Sequence, residues 1–214
     1  MNKKTIQSTL YGPVVIIWRA YKSTVKIVRV LLSNPAATAT KRVSELCPDA
    51  HESSCDEIDS LSTAICRFFE GVPIDFGLDV ADLSLCGEFQ QRVLRAEHAI
   101  PRGRVSTYKL IASHLGVHSG ARAVGNALAN NPFPLIVPCH RAIRSDYGLG
   151  GYQGGIGMKR SLLTKEGIDF DDSGRVRCSQ FHYGQEDRTT VRTRTENPAT
   201  LRPQPVMPAL GAQE

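Results

Sequence analysis

The sequence lacks the cysteine patterns that hold metal ions or disulfide frameworks. Its six cysteines include no CxxC pair, and none of its six histidines has zinc-ligand spacing relative to them. We therefore expect no metal site and no cofactor, with thiols that stay reduced. In that situation a lone cysteine in a special setting is a candidate nucleophile.

Long apolar segments are also missing. The apolar run of residues 14–18 is short and ends at Arg19, so it resembles neither a secretory signal nor a membrane span. The sequence also shows no internal repeat. These absences predict an intracellular protein that does not contact a membrane.

The charge balance is only mildly basic. Lysine and arginine number 26 against 21 acidic residues, a net charge of +5, while 41% of residues are hydrophobic. This composition is typical of a globular protein of one or two domains. A small basic excess suits a polyanionic partner such as DNA, but it is also common on solvated surfaces, so composition leaves both interpretations open.

The first 85 residues predict a small α/β domain. Residues 14–18 and 24–32 are apolar and rich in β-branched side chains, and the polar break between them predicts a hairpin. A helix is predicted before Gly71, and residues 72–85 predict one more strand. The helix follows from apolar residues at helical spacing: Ile58, Leu61, Ile65, Phe68 and Phe69.

Residues 86–170 predict a mainly helical domain. After a helix ending near His98, Thr107 is a good N-cap for a second helix, which runs to Gly116. Ser119 is the predicted cap of a third helix, and a last helix is predicted before Gly167. Two short helices joined by a turn containing glycine predict a helix-turn-helix with the third helix as recognition helix. Many helical hairpins with this pattern never meet DNA.

Residues 171–214 predict a disordered tail. Beyond about Arg177 the sequence is rich in threonine, arginine, glutamine, glutamate and proline and has few large apolar side chains. Such a segment buries too little apolar surface to offset the entropy lost on ordering.

Cys139 is the strongest candidate for chemistry. It follows the apolar run of residues 135–137 and is followed by His140 and Arg141. A free thiol is mostly protonated at neutral pH, so a nucleophilic cysteine needs a base or a positive charge nearby. Neighbours in an extended strand point to opposite sides, so His140 would need a turn or a bridging water to act. A packed core cysteine beside a surface histidine is the alternative.

The motif around Cys139 resembles the active-site signature of the O6-alkylguanine-DNA alkyltransferases, the methylated-DNA–protein-cysteine methyltransferases. The resemblance covers residues 87–168, with further motifs in the family's order and spacing. The matching residues are Phe89-Gln90, residues 100–108, Arg122-Ala123-Val124-Gly125, Asn131-Pro132, Ile136-Val137-Pro138-Cys139-His140-Arg141, residues 149–155 and Lys165-Glu166-Gly167. Ala142 stands where the family usually has valine.

The resemblance implies a catalytic role for five residues. Cys139 would accept the alkyl group, His140 would act as its base through a water molecule, and Glu166 would orient the imidazole. Asn131 would brace the loop that presents the cysteine. Tyr108 would donate a proton or hydrogen bond to the departing guanine. The base pocket would be formed by Arg141, Ala142, Tyr152, Gln153 and Gly154.

The resemblance also implies contact with double-stranded DNA. Arg122 would enter the duplex and fill the gap left by a flipped nucleotide, because an alkylated base inside the stack is out of reach of a buried thiol. The small neighbours Ala121, Ala123 and Gly125 would let the helix lie close to a minor groove.

The expected protein is thus an α/β domain packed on a helical domain with a helix-turn-helix. Its expected function is DNA repair by single, irreversible transfer of the alkyl group from O6-alkylguanine, with O4-alkylthymine as a further candidate substrate. We expect a monomer in the cytoplasm, associated with the nucleoid in a bacterium. The alternatives are a non-catalytic DNA-binding lesion sensor, a helix-turn-helix regulator and a thiol hydrolase that turns over repeatedly.

Overall fold

The computed structural model describes residues 1–7, 9–22 and 24–184. Within these ranges the chain forms a small sheet and six α-helices, an α/β architecture as the sequence predicts. No helix in the described ranges has the length and apolar character needed to cross a membrane.

The four-stranded sheet is built around a hairpin. Strands β2 (Val14–Tyr21) and β3 (Thr24–Leu32) pair antiparallel, which confirms the predicted hairpin. Strand β1 (Asn2–Ile6) lies antiparallel to the other side of β2, and β4 (His51–Glu52) is parallel to β1. The spatial order is therefore β3-β2-β1-β4.

Both faces of this sheet are covered along residues 14–18, which explains why this part of β2 is apolar without alternation. On one face, Val15 and Ile17 belong to an apolar cluster with helix α1 (Ala39–Leu46). On the other face, the main core includes Ile16 and the inner side of helix α2 (Asp56–Glu70). That core continues into the C-terminal helices, so apolar packing joins the two halves of the chain.

The second half of the described chain is mainly helical, with α3 (Glu88–His98), α4 (Tyr108–His114), α5 (Ala121–Ala129) and α6 (Ile156–Lys165). Thr107 caps α4 as predicted, since its hydroxyl accepts a hydrogen bond from the backbone N–H of Leu110. Strand β5 (Ser106–Thr107) pairs parallel with β6 (Ala142–Ile143). This pairing sets the start of α4 beside the end of a 3₁₀ turn at Cys139–Arg141.

Two local predictions in these regions are wrong. Gly120 rather than Ser119 precedes α5, because Ser119 has a φ of 60° and lies in the tight turn before the helix. The strand predicted over residues 72–85 is absent. Two 3₁₀ turns, Leu78–Val80 and Leu83–Leu85, take its place, and only Ala81 bridges to β3.

The disordered tail predicted from residue 171 is wrong for residues 171–184. Strand β7 (Asp169–Phe170) pairs with β8 (Val176–Arg177), and Val176 is buried. The Tyr183 hydroxyl donates a 2.8 Å hydrogen bond to the carbonyl of Ala96 in α3. A few apolar residues therefore suffice here, because the segment packs on an existing surface. Residues 185–214, the rest of the predicted tail, lie outside the described residues.

Candidate active site

A cavity of about 370 Å³ lies between α4, α5 and the loop before α6. It brings together residues that are far apart in sequence and that the sequence motifs single out. Its lining consists of Tyr108, Gly125, Leu128, Ala129, Cys139, Gly151, Tyr152 and Gln153.

Cys139 opens onto this cavity from the 3₁₀ turn and is only 5% exposed. Burial raises the pKa of the thiol to about 11, although a hydrogen bond with the Asn131 side chain and the positive charge of Lys159 both act to lower it. The resting side chain is therefore a protonated thiol at neutral pH. Reaction with an electrophile requires a group that takes this proton.

Asn131 ties together the segment that leads to the cysteine. Its fully buried amide Nδ2 donates to the carbonyl of Val137 at 3.2 Å, while its Oδ1 accepts from the backbone N–H of Phe133 at 2.9 Å. The Nε2 of Gln153 in turn donates to the carbonyl of Asn131 at 2.5 Å. These bonds fix the backbone just before Cys139.

His140, Glu166 and Arg141 form a buried network behind the thiol. The Nε2 of His140 lies 3.0 Å from Oε1 of Glu166, and both side chains are almost inaccessible to solvent. Assigning the proton to Nε2, as the carboxylate partner favours, leaves a lone pair on Nδ1. That atom has no hydrogen-bond partner among the described residues.

The charges of this network are set by burial and by Arg141. Burial lowers the pKa of His140, against the effect of Glu166, so the ring is neutral at rest. Burial alone would raise the pKa of Glu166, but hydrogen bonds from His140 and Arg141 and their charges lower it to about 2. Glu166 is thus a carboxylate, ready to stabilise a positive charge on His140.

Two tyrosines, Tyr108 and Tyr152, form part of the cavity wall. Burial raises the pKa of Tyr108 to about 12, so its hydroxyl keeps its proton and is a hydrogen-bond donor. Tyr152 is partly buried, and its ring makes a T-shaped contact with that of His140, with 6.1 Å between the centroids. Gly150 is needed beside Tyr108, because its φ is 70° and an added Cβ would lie 2.8 Å from the tyrosine hydroxyl.

Helix α5 carries the predicted DNA-contacting residues beside the cavity. Arg122 and Ala123 are exposed, Ala121 and Gly125 are partly exposed, and Gly125 also lines the cavity. Arg122 forms no hydrogen bond or ion pair with the other described residues. Its guanidinium is therefore available to a partner.

Three residues predicted for the base pocket do not line the cavity. Arg141 is turned inward, where it binds Glu166 and donates to the carbonyl of Ile100 at 2.6 Å. Ala142 is fully buried in β6, and Gly154 packs against the side chain of Met158. Successive side chains in a 3₁₀ turn or a loop point in different directions, so closeness in sequence to Cys139 or Tyr152 does not place a side chain in the pocket.

Sequence reasoning missed two buried charged residues, Glu97 and Lys159. Both are fully buried, and Lys159 donates to the carbonyls of Ala142 at 2.6 Å and Gly151 at 3.3 Å. The signal was present for Glu97, since it follows Val93 by four residues and so falls on the apolar face of α3. No group of acidic, cysteine or histidine side chains in the described part of the chain is arranged to hold a metal ion.

Comparison with known proteins gives consistent matches to one class. The sequence model of the 6-O-methylguanine DNA methyltransferase DNA binding domain matches residues 88–168. A methylated-DNA–protein-cysteine methyltransferase of Methanothermobacter thermautotrophicus is 45% identical over 114 residues, which cover 53% of this chain. The match spans 64% of that relative's length.

Solved structures extend the likeness to most of the fold. The O6-methylguanine methyltransferase of Mycobacterium tuberculosis is 31% identical, with a TM-score of 0.62 over 77% of this chain and 92% of the other. The same organism's OGT in complex with DNA gives a TM-score of 0.61 at 30% identity, covering 78% of this chain and 92% of the other. The fold is thus that of the O6-methylguanine methyltransferases. This chain belongs to the O6-methylguanine DNA methyltransferase family.

Proposed function

We propose that this protein repairs DNA by moving the alkyl group of O6-alkylguanine irreversibly onto Cys139. The observation that carries the proposal is a cysteine at the wall of a cavity, backed by a buried histidine–glutamate pair. The family membership supports the same reaction. O4-alkylthymine is a further candidate substrate.

In the proposed reaction, the sulfur of Cys139 attacks the alkyl carbon, and the bond from that carbon to O6 of guanine breaks. The thiol proton passes through a bridging water to Nδ1 of His140, whose free lone pair suits this role. Glu166 then stabilises the imidazolium. The product is a thioether, which nothing in the network can reverse, so each molecule acts once.

Departure of guanine needs its negative charge to be quenched. We assign this role to Tyr108, because it lines the cavity and its hydroxyl stays protonated at neutral pH. Donation to a ring nitrogen of the base stabilises the leaving group as the bond to O6 breaks. Gly151 and Tyr152 complete the wall against which the purine is held.

The partner in this proposal is double-stranded DNA, and the protein acts on it as a monomer. We infer that α4 and α5 form a helix-turn-helix in a helical domain covering residues 86–170, packed on the N-terminal α/β domain. Arg122 would enter the duplex in place of the extruded nucleotide, while small side chains on α5 let the helix approach the minor groove. For a protein with this partner we propose a cytoplasmic location, associated with the nucleoid if the protein is bacterial.

The competing proposal is a lesion sensor that binds alkylated DNA without reacting. It would require a site without a usable thiol, whereas Cys139 here follows a braced segment, opens onto the cavity and is adjacent in sequence to a histidine that is hydrogen-bonded to Glu166. A regulator built only on the helix-turn-helix would leave this buried network unexplained. Alkyl transfer accounts for both features.

The test is intact-mass analysis after incubation with duplex DNA that contains O6-methylguanine. We expect a gain of one methylene per molecule, mapped to Cys139 by peptide sequencing, and no gain in Cys139→Ser. Cys86→Ser is the matched control, since Cys86 is also buried but lies outside the cavity. A methyl group on another cysteine, or repeated turnover, would refute the proposal.

A further inference from the structure

Glu97 carries a carboxyl group in a part of the interior where a charged carboxylate is unfavourable. It lies on the inner face of α3 with Val93 and Leu94 and has no exposed surface. Neither of its carboxyl oxygens has a hydrogen-bond partner among the described residues. A buried carboxylate without partners is costly, so this side chain requires a physical explanation.

The groups that act on Glu97 come from three elements. Lys159 from α6 and Arg141 from the 3₁₀ turn are positive, and Tyr108 from α4 and Cys139 from the same turn are the titratable groups of the cavity. Arg141 is already neutralised by its pair with Glu166. Lys159 has no acidic partner within 4.0 Å among the described residues.

These surroundings favour the neutral form of Glu97 at neutral pH. Burial raises its pKa to about 8, although the charges of Lys159 and Arg141 oppose the shift. Burial lowers the pKa of Lys159 to about 8, but its hydrogen bonds to two carbonyls suit the ammonium form, which it keeps at neutral pH. At neutral pH the pair therefore holds one unbalanced positive charge behind the cavity.

The charge state of Glu97 matters for both cavity groups. A negative charge there would raise the pKa of Tyr108, beyond the effect of burial, and would also raise that of Cys139. Either change opposes the proposed transfer, in which the thiol loses a proton and the tyrosine donates one. A neutral Glu97 instead leaves the ammonium of Lys159, 6.0 Å from the centre of the Tyr108 ring, to stabilise negative charge on the departing base.

We propose that Glu97 enters the alkyl transfer as a neutral carboxylic acid, and that its ionisation in alkaline solution slows the reaction through Tyr108 and Cys139. Glu97 does not line the cavity, so it is a positioning residue for the charges of the site rather than a contact of the substrate. The inference rests on the proposed alkyl transfer and adds the pH above which that transfer slows.

The experiment compares single-turnover transfer from free O6-benzylguanine between pH 6.5 and 9.5 in wild type and Glu97→Gln. The ratio of the variant's rate to the wild-type rate cancels effects common to both, such as titration of the thiol. We expect this ratio to rise by roughly three- to tenfold across the range, because only wild type acquires the buried negative charge. Glu45→Gln, at an exposed position in α1, should give a flat ratio.

A flat ratio for Glu97→Gln would overturn the inference. A ratio that falls with pH would also overturn it, since deprotonation of Lys159 would then set the limit. Glu97→Leu, which has no titratable group, should reproduce the rise. If wild type transfers nothing at any pH, the proposed alkyl transfer itself fails. This outcome is distinct from a flat ratio, which requires measurable transfer by both proteins.

Infrared spectroscopy tests the neutral acid without relying on activity or on a folded variant. Wild type at pH 6.5 should show the carbonyl stretch of a protonated carboxylic acid, and the band should disappear as the pH is raised through about 8. The band should be absent from Glu97→Gln at every pH. A wild-type spectrum without it at pH 6.5 would contradict the inference.

Discussion

Arg141 holds the carboxylate of Glu166 with two hydrogen bonds, each 2.9 Å long, in an interior where both side chains are nearly inaccessible. The two-pronged geometry matches the planar guanidinium to the two carboxylate oxygens. In this geometry Oε1 of Glu166 also accepts a hydrogen bond from Nε2 of His140. One acidic group therefore serves both the fold and the proposed chemistry.

Glu166→Gln should accordingly damage both stability and reaction. The buried guanidinium loses its counter-charge, so we expect the free energy of unfolding to fall by about 3–5 kcal/mol. The rate of alkyl transfer should fall by at least about tenfold, because His140 loses the group that orients it and stabilises its charge. Urea unfolding and single-turnover kinetics measure the two effects.

Arg141→Lys separates the two roles. Lysine cannot make the paired contact, so stability should fall, but the carboxylate still faces His140 and much of the rate should remain. Equal losses of rate in Arg141→Lys and Glu166→Gln would show that Glu166 supports the site only through the fold.

Arg122→Ala should slow repair of duplex DNA strongly and affect transfer from free O6-benzylguanine little. Extruding a nucleotide costs a few kcal/mol, which an inserted arginine offsets in part, and the free base needs no extrusion. Arg122→Lys should restore only part of the duplex rate, because an ammonium does not stack as a guanidinium does. Equal losses of rate on duplex DNA and on the free base would show that Arg122 does not act by inserting into the DNA.

Gly150→Ala should reduce transfer from both free base and duplex DNA. The added methyl group would lie 2.8 Å from the hydroxyl of Tyr108, and the positive φ strains any side chain there. Gly157→Ala is the control, because an added Cβ at that helical position meets nothing within 4 Å. A normal rate in Gly150→Ala with the tyrosine displaced, as seen in a crystal structure, would exclude a leaving-group role for Tyr108.

Removing the chain after Gly184 should leave melting temperature and transfer rate unchanged, since the sequence beyond it has few large apolar side chains. Removal after Asp172 should lower the melting temperature. This truncation deletes β8 and the hydrogen bonds of two residues beyond it. His182 is bonded to β5 and to Val105, and Tyr183 is bonded to α3. Thermal unfolding of the two truncated proteins gives the comparison, and equal melting temperatures would show that residues 173–184 add nothing to stability.

The hairpin, α2 and the helices around the site were predictable because each has a strong local signal. The buried face of α2 repeats at helical spacing, and Thr107 caps α4 with its own side chain. Strand β1 and helix α1 were not predicted. Four of the five residues in β1 are polar, so the strand forms only through pairing with its neighbours in the sheet, and α1 buries only Ala39 and Val43.

For the site, the motif around Cys139 predicted which residues gather but not which way each faces. The cavity includes Cys139, Tyr108 and Tyr152, whereas Arg141 points away from it to bind Glu166. That direction depends on a helix distant in sequence, so no local pattern encodes it. The same is true of Glu97, whose burial follows from packing of α3 against α4, α5 and the 3₁₀ turn.

The burial of Cys139 has a practical consequence for labelling this protein. Four other cysteines, Cys47, Cys55, Cys66 and Cys178, are more accessible than it is. General thiol reagents should therefore modify those four first, although none of them lines the cavity. An electrophile shaped like an alkylated purine should show the opposite preference. The shape of the cavity, which decides what reaches Cys139, would then determine the selectivity of this protein. The thiol that is least reactive toward ordinary reagents would be the one that reacts with the intended substrate.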